Sequence, residues 1–335
     1  MKTLKTPSSL RRLLALAACS AAVLAVTQAA HAQTAAGTWP DRPVKLVVPF
    51  PPGGGNDAFA RELGNALQKK FGQPFVVDNR AGASGNIGIS AVAKSPADGY
   101  TLLVVSNTLV TNPGLSAQVP YDVYKDFVPI SLAAGLPVAL VTSTEVVPKT
   151  LPALISYAKA NPGKLSYGTA GVGSPHHLTT EYFASRAGVS LLHVPFKGQG
   201  QIVPEIVAGR VDMAFLAISS VMQFIPSGKV RAIAIAGAQR SAIAPDLPTL
   251  AEAGLPGANV DWWLGVLAPT GTPPDIVQKL SAEIMALSKQ PEFKARLTTQ
   301  GIDAIGSTPE AFAAVLRDEI PRWTQVVKTA GIKQQ

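Results

Sequence analysis

The chain has 335 residues, 47% hydrophobic and 15% charged, enough for two ordinary domains with real cores. Its formal net charge is +8, but no dense Lys/Arg cluster stands outside the first residues, which argues against a nucleic-acid partner. The single cysteine, Cys19, lies in that early segment, so the rest has no disulfide, thiolate nucleophile or cysteine metal site.

The first segment reads as an export signal. Lys2, Lys5, Arg11 and Arg12 form a basic head, an apolar run follows over residues 13–26, and Ala30-His31-Ala32 fits a small-residue cleavage site. Residues 1–32 are therefore expected to be removed, leaving Gln33 first, in the periplasm. Arg11-Arg12 leaves twin-arginine export open beside ordinary secretion. Leu16-Ala17-Ala18-Cys19 resembles a lipoprotein box, although the apolar run continues beyond Cys19. Without these residues the chain carries 25 basic and 21 acidic groups, a balance of +4 that suits a small anionic ligand.

Residues 44–49 read as a buried strand. It runs into a glycine loop, Phe50-Pro51-Pro52-Gly53-Gly54-Gly55-Asn56-Asp57. Asn56 or Asp57 can cap a helix with Phe59, Leu63, Ala66 and Leu67 on its apolar face, stopped by Gly72. Strands over 75–77 and 101–105 flank a short helix over 87–93. This alternation predicts an α/β lobe with a largely parallel sheet. Residues 128–142 are apolar and extended, and read as a crossover to a second lobe of the same plan. There a helix over 154–160 and a strand over 165–168 precede a second glycine loop, Thr169-Ala170-Gly171-Val172-Gly173-Ser174. A helix over 178–187 follows, then strands over 190–195, 211–218 and 230–236. Residues 261–269 read as the return crossover. A long helix from about Thr272 and a last helix over 309–328 would pack on the first lobe.

Each glycine loop leads into a helix start, where backbone N–H groups lack helical partners and carry partial positive charge. Glycines let those amides approach a ligand closely. Two such seats predict a small anion held between two lobes. Asp57 is expected to cap the helix or bond the loop amides. Thr169 and Ser174 suit hydroxyl donation to a carboxylate, and His177 either orders the loop or touches the ligand. Ser84-Gly85 and Ser106-Asn107 fall at predicted strand ends, where open α/β sheets bind ligands. A serine-hydrolase reading through Ser174, His176 and His177 lacks the Gly-x-Ser-x-Gly elbow. No cofactor fingerprint, paired carboxylates or metal spacing is visible, so no cofactor, metal or catalytic residue is expected. Trp262 and Trp263 read as hinge packing.

Several segments together resemble a known family. They are Pro49-Phe50-Pro51-Pro52-Gly53-Gly54 with Asp57, Asp78-Asn79-Arg80, Gly85-Asn86-Ile87-Gly88, Asp98-Gly99-Tyr100-Thr101-Leu102, Gly173-Ser174 with His177-Leu178, and His193-Val194-Pro195-Phe196-Lys197-Gly198. Further matches are Asp246-Leu247-Pro248-Thr249, Glu252-Ala253-Gly254-Leu255-Pro256-Gly257 and Gly271-Thr272-Pro273. The chain resembles the substrate-binding proteins of tripartite tricarboxylate transporters, the Bug receptors. The resemblance implies a two-lobed periplasmic binding fold of type II, its ligand cleft between lobes joined by two crossover segments. Lobe 1 would comprise residues 39–140 and 262–335, and lobe 2 residues 141–261. It implies a monomer that captures a small carboxylate and delivers it to large and small membrane permease subunits; presentation to a membrane sensor kinase is the alternative. Phe50, Pro51, Gly53, Gly54, Gly55 and Asn56 of the first loop would hold the ligand. So would Thr169, Ala170, Gly171, Gly173 and Ser174 of the second. Where the family often carries Asp-Asn after the strand over 211–215, this chain has Leu216 and Ala217. Placed at the cleft edge, that pair would favour an aromatic or otherwise apolar body on the acid.

Overall fold

The computed structural model describes residues 39–116 and 118–332. The expected leader, its cleavage site and Cys19 lie outside them. Contacts divide the chain into Met1–Arg42 and Pro43–Gln335. Of the first unit only residues 39–42 are described, without regular structure. Every helix and strand among the described residues belongs to the second unit.

Two sheets organise it. The first contains β1 (Val44–Val48), β2 (Phe75–Asn79), β3 (Thr101–Ser106), β4 (Phe127–Leu136), β10 (Trp262–Pro269) and β11 (Asp303–Ala304), in the order β11-β4-β10-β3-β1-β2. The second contains β5 (Val138–Ser143), β6 (Ser166–Thr169), β7 (Leu192–Pro195), β8 (Met213–Ala217) and β9 (Val230–Ile235), in the order β7-β6-β8-β5-β9. In the first, β1 runs parallel to β2 and β3, whereas β10 is antiparallel to β3 and β4. In the second, β6 is parallel to β7 and β8, and β5 is antiparallel to β8 and β9. Both sheets are thus mixed rather than largely parallel.

The supposed crossovers are themselves strands. Residues 127–143 form β4 of one sheet and β5 of the other, with Pro137 alone between them. Proline has no N–H and a fixed φ, which weakens a ladder, and at Pro137 the chain changes sheets. The return segment becomes β10, buried at all eight positions between β3 and β4. Its unbroken apolar run reflects burial on both faces.

Helix α1 (Gly55–Phe71) follows β1 and buries Phe59, Ala60, Leu63, Ala66 and Leu67, one apolar stripe at helical period. It ends at Gly72 with φ 73°, whose N–H bonds Gln68 O. α2 (Asn86–Ala93) follows a 3₁₀ turn over Ala83–Gly85. After β3 comes α3 (Thr108–Leu115), which the sequence pattern does not predict. The short α4 (Val123–Asp126) leads into β4. On the second sheet lie α5 (Leu151–Ala160), α6 (Pro175–Ala187) and α7 (Gln199–Val207). The chain returns through α8 (Pro274–Leu287), α9 (Pro291–Thr299) and α10 (Pro309–Thr329).

Candidate functional site

Loops from both sheets meet at one cavity of about 440 Å³. Its walls include Phe50 after β1, Ser84 and Asn86 before and at the start of α2, and Thr108, Thr111, Asn112 and Leu115 of α3. From the second sheet come Ala170, Val172, Gly173, Ser174 and Pro175, between β6 and α6. The loops follow the C-terminal ends of β1, β3 and β6, where α/β sheets present ligand sites. Among the described lining residues none is charged.

The first loop is pinned by Asp57. Gly54 is the N-cap of α1, so the helix begins earlier than Asn56 or Asp57 would have it. Asp57 lies in the first turn and reaches back. Its Oδ2 accepts from the Gly53 amide and from Arg61 Nε, each at 3.0 Å, and its Oδ1 accepts from Asn79 Nδ2 at 3.0 Å. Asn79 also donates to Phe50 O at 3.1 Å. Burial works to raise the Asp57 pKa, but bonds from Arg61, Gly53 and Asn79 together with the Arg61 charge hold it below its usual value. The Gly53 amide is therefore committed, and the N–H groups at the start of α1 are the ones free of helical partners. The buried Oδ1 of Asn56 has no partner among the described residues.

The second loop is pinned by neutral groups. Ser174 caps α6, accepting from His177 N at 3.3 Å while donating to Gly171 O at 2.7 Å. The Gly173 amide donates to His177 Nδ1 at 3.0 Å, which places the imidazole proton on Nε2, toward Glu181 at 4.0 Å. His177 stacks on His193 with centroids 4.0 Å apart, and His193 stacks on Tyr167 at 4.9 Å. The Tyr167 hydroxyl bonds Glu181. Burial, and then the neighbouring His193, lower the His177 pKa to about 4. His176 points elsewhere: it packs edge-on against Trp262 and bonds Gln199, and burial lowers its pKa to about 4.

These bonds revise several sequence expectations. Thr169 is fully buried and shares a 2.6 Å hydrogen bond with His193 Nε2, so its hydroxyl holds β6 to β7 rather than facing a ligand. The Ser174 hydroxyl donates within its own loop, leaving only acceptor capacity and the loop amides. Ser174 Oγ bonds only backbone groups, Gly171 O and His177 N, so it forms no nucleophile–base pair with a histidine ring. Leu216 pairs with Ala139 and is buried in the core with Val141, Ile202 and Ile206, away from the cavity. Ala217 does not line the cavity either. Of the remaining expected residues, Phe50, Ser84, Ala170, Gly173 and Ser174 line the cavity. Pro51, Gly53, Gly54, Gly55, Asn56, Gly85, Ser106, Asn107, Gly171 and His177 stand beside it in sequence without lining it. The wall that sequence reasoning missed is α3.

A second cavity, about 490 Å³, opens where β4 passes into β5 and the chain returns to β10. Asp261, Asp303 and Glu319 line it, and burial raises the pKa of each. Trp263 Nε1 donates to Glu319 at 2.8 Å, and Trp262 Nε1 to Thr179 at 3.0 Å, so both indoles pack where the sheets join. Arg240 and Lys294 line it as well, so its charges are mixed.

A family profile described as the tripartite tricarboxylate transporter family receptor matches residues 59–332. The chain belongs to this receptor family. BugT of Bordetella pertussis is 39% identical over 313 residues, 93% of this chain and 96% of its own. Among solved structures, R. palustris Rpa4515 with adipate is 37% identical with a TM-score of 0.73, covering 88% of this chain and 99% of that one. MatC from Rhodopseudomonas palustris with bound malate is 35% identical with a TM-score of 0.69, covering 86% and 100%. The receptor therefore has the two-lobed periplasmic binding fold of its family, and that family is one of solute-binding receptors rather than enzymes.

Proposed function

We propose that this receptor captures a small carboxylate between its two sheets and delivers it to a membrane permease of the tripartite tricarboxylate type. The observation that carries the reading is one uncharged cavity that Phe50 of the first glycine loop and residues 170 and 172–175 of the second both line, each loop leading into a helix N-terminus. A carboxylate docks on unpaired amides of one lobe, and closure brings the other lobe's amides onto it; contacts made only when closed drive the hinge. Relatives solved with adipate and with malate support an acid ligand. In this reading the lobes divide near Pro137 and Asp261, the leader ends at Ala32, the mature monomer is periplasmic, and it carries out no catalysis.

The test is a thermal-shift panel on unfolded-and-refolded mature protein, which removes ligand carried from the host. Probes are C4 to C6 dicarboxylates, citrate, acidic amino acids and aromatic acids. A ligand at a hundredfold its Kd stabilises by about 2.7 kcal/mol, worth about 5 °C or more in melting temperature. A shift confined to one chemical group names the substrate class. No shift with any acid, in folded protein, overturns the reading. Co-purification with permease subunits expressed beside it tests the partner.

A further inference from the structure

α3 places Thr108, Thr111, Asn112 and Leu115 on the cavity wall at spacings of three and four, one face of a helix. Its other face, Leu109 and Val110, is buried in the core. The Asn112 amide N–H₂ is fully used: its Nδ2 donates to Ser84 O at 3.0 Å and to Asn86 Oδ1 at 2.8 Å. Asn86, its oxygen so engaged, also lines the cavity. Asn112 also steadies an unusual turn, in which Ala83 (φ 46°) and Ser84 (φ 56°) both hold left-handed backbone. Non-glycine residues are costly there, and such strain gathers at functional sites.

Thr111 differs from its neighbours. Thr108 bonds Ser106 at 3.2 Å. Thr111 is 2% exposed and lines the cavity, yet its hydroxyl bonds no other group among the described residues. A hydroxyl on a cavity wall with no protein partner is available to donate to or accept from a ligand.

We propose that Thr111 is a specificity-determining residue that bonds a neutral oxygen function, a hydroxyl or carbonyl, on the body of the acid. This rests on the carboxylate-receptor reading and names the substrate class within it: oxygenated acids rather than hydrocarbon ones. Asn86 and Ser84 stand beside the same space and supply further donors.

The test compares pairs of acids that differ by one oxygen: succinate with malate, 3-phenylpropanoate with phenyllactate, and benzoate with 4-hydroxybenzoate. Affinities are measured by calorimetry on refolded wild type, Thr111→Val and Thr111→Ser. The valine variant keeps the shape, and its melting temperature without ligand checks that it folds. In wild type the oxygenated member of at least one pair binds about tenfold tighter, the range of one neutral hydrogen bond. Thr111→Val brings that ratio near one while the deoxy acid binds as before, and Thr111→Ser restores it. Equal affinities within every wild-type pair overturn the proposal. So does an equal loss for both members in Thr111→Val, which marks a carboxylate contact or a structural role. Failure of every acid to bind wild type instead removes the receptor reading itself.

Discussion

The two glycine loops follow strands of different sheets, each with residues on the same cavity, and they are held by different charge states. The first is tied down by an ionised carboxylate, Asp57, bridging Gly53, Arg61 and Asn79. The second is tied down by a neutral imidazole, His177, accepting from Gly173, together with the Ser174 cap. In both, a side chain in the first turn of the helix accepts the amide of a loop glycine. A carboxylate does this with its charge screened by Arg61. An imidazole does it beside His193, where protonation would place a charge in a stack of rings. One backbone task, fixing a glycine loop before a helix, can thus be met by either chemistry, and the two then answer to acid in different ways.

Acidification is the sharpest way to test that contrast and carries the largest expected effect. The folded pKa of His177 and of His176 is about 4, against 6.5 for an unperturbed histidine. Between those values the unfolded chain binds protons that the folded chain does not. Stability is therefore full above pH 6.5 and falls as pH drops toward 4, by an amount on the order of several kcal/mol. Asp57, with its pKa lowered, adds a loss only at lower pH, below the ordinary carboxylate range. Asp261 and Glu319, with pKa values raised by burial, act in the opposite sense, their contribution being lost as pH rises. Denaturant titrations from pH 7 to 4 check the sum. A profile that is flat in wild type and unchanged in His177→Phe would mean that the His177 ring is solvated.

Asp57→Ala comes next. It leaves the Gly53 amide without its acceptor and Asn79 with only Phe50 O, and should cost about 2–3 kcal/mol in urea unfolding, with ligand binding weakened as the first loop loosens. His177→Phe keeps the stacked ring but removes the acceptor for Gly173. A loss of about 1–2 kcal/mol is expected, with a shallower acid response than wild type, which separates the second loop from the first. Ser174→Ala removes a cap and should cost about 1 kcal/mol, while Ser174→Gly costs only a few tenths. If Asp57→Ala and His177→Phe produced the same pH profile, the contrast between the loops would collapse.

The two glycine loops, the strands that feed them and the helices that leave them are legible in the sequence because they are local patterns. α1, with its apolar stripe and Gly72 stop, follows from period and backbone alone. α3 is not legible. Thr-Leu-Val-Thr-Asn-Pro-Gly-Leu is rich in β-branched residues and contains Pro113 and Gly114, all poor helix formers. Packing compensates: a Cβ on Gly114 would lie 3.2 Å from Thr324 Cα, so α3 rests closely on α10. The direction of Leu216 is hidden for a different reason. β8 is buried on both faces, Phe215 in one core cluster and Leu216 in another, so alternation carries no signal about which side meets the cleft.

Contiguous residues were enough to set the two-lobed plan, the receptor family and the expectation of an anion seat at each glycine loop, because these depend on short-range backbone chemistry and on motifs unbroken in the chain. Which hydroxyls stay free was decided by the packing of distant segments. Thr169 and Ser174 are committed to His193, Gly171 and the His177 amide, whereas Thr111 faces the cavity unpaired among the described residues. Hydrogen bonds such as that between Thr169 and His193 join residues far apart in sequence, and no local pattern records them.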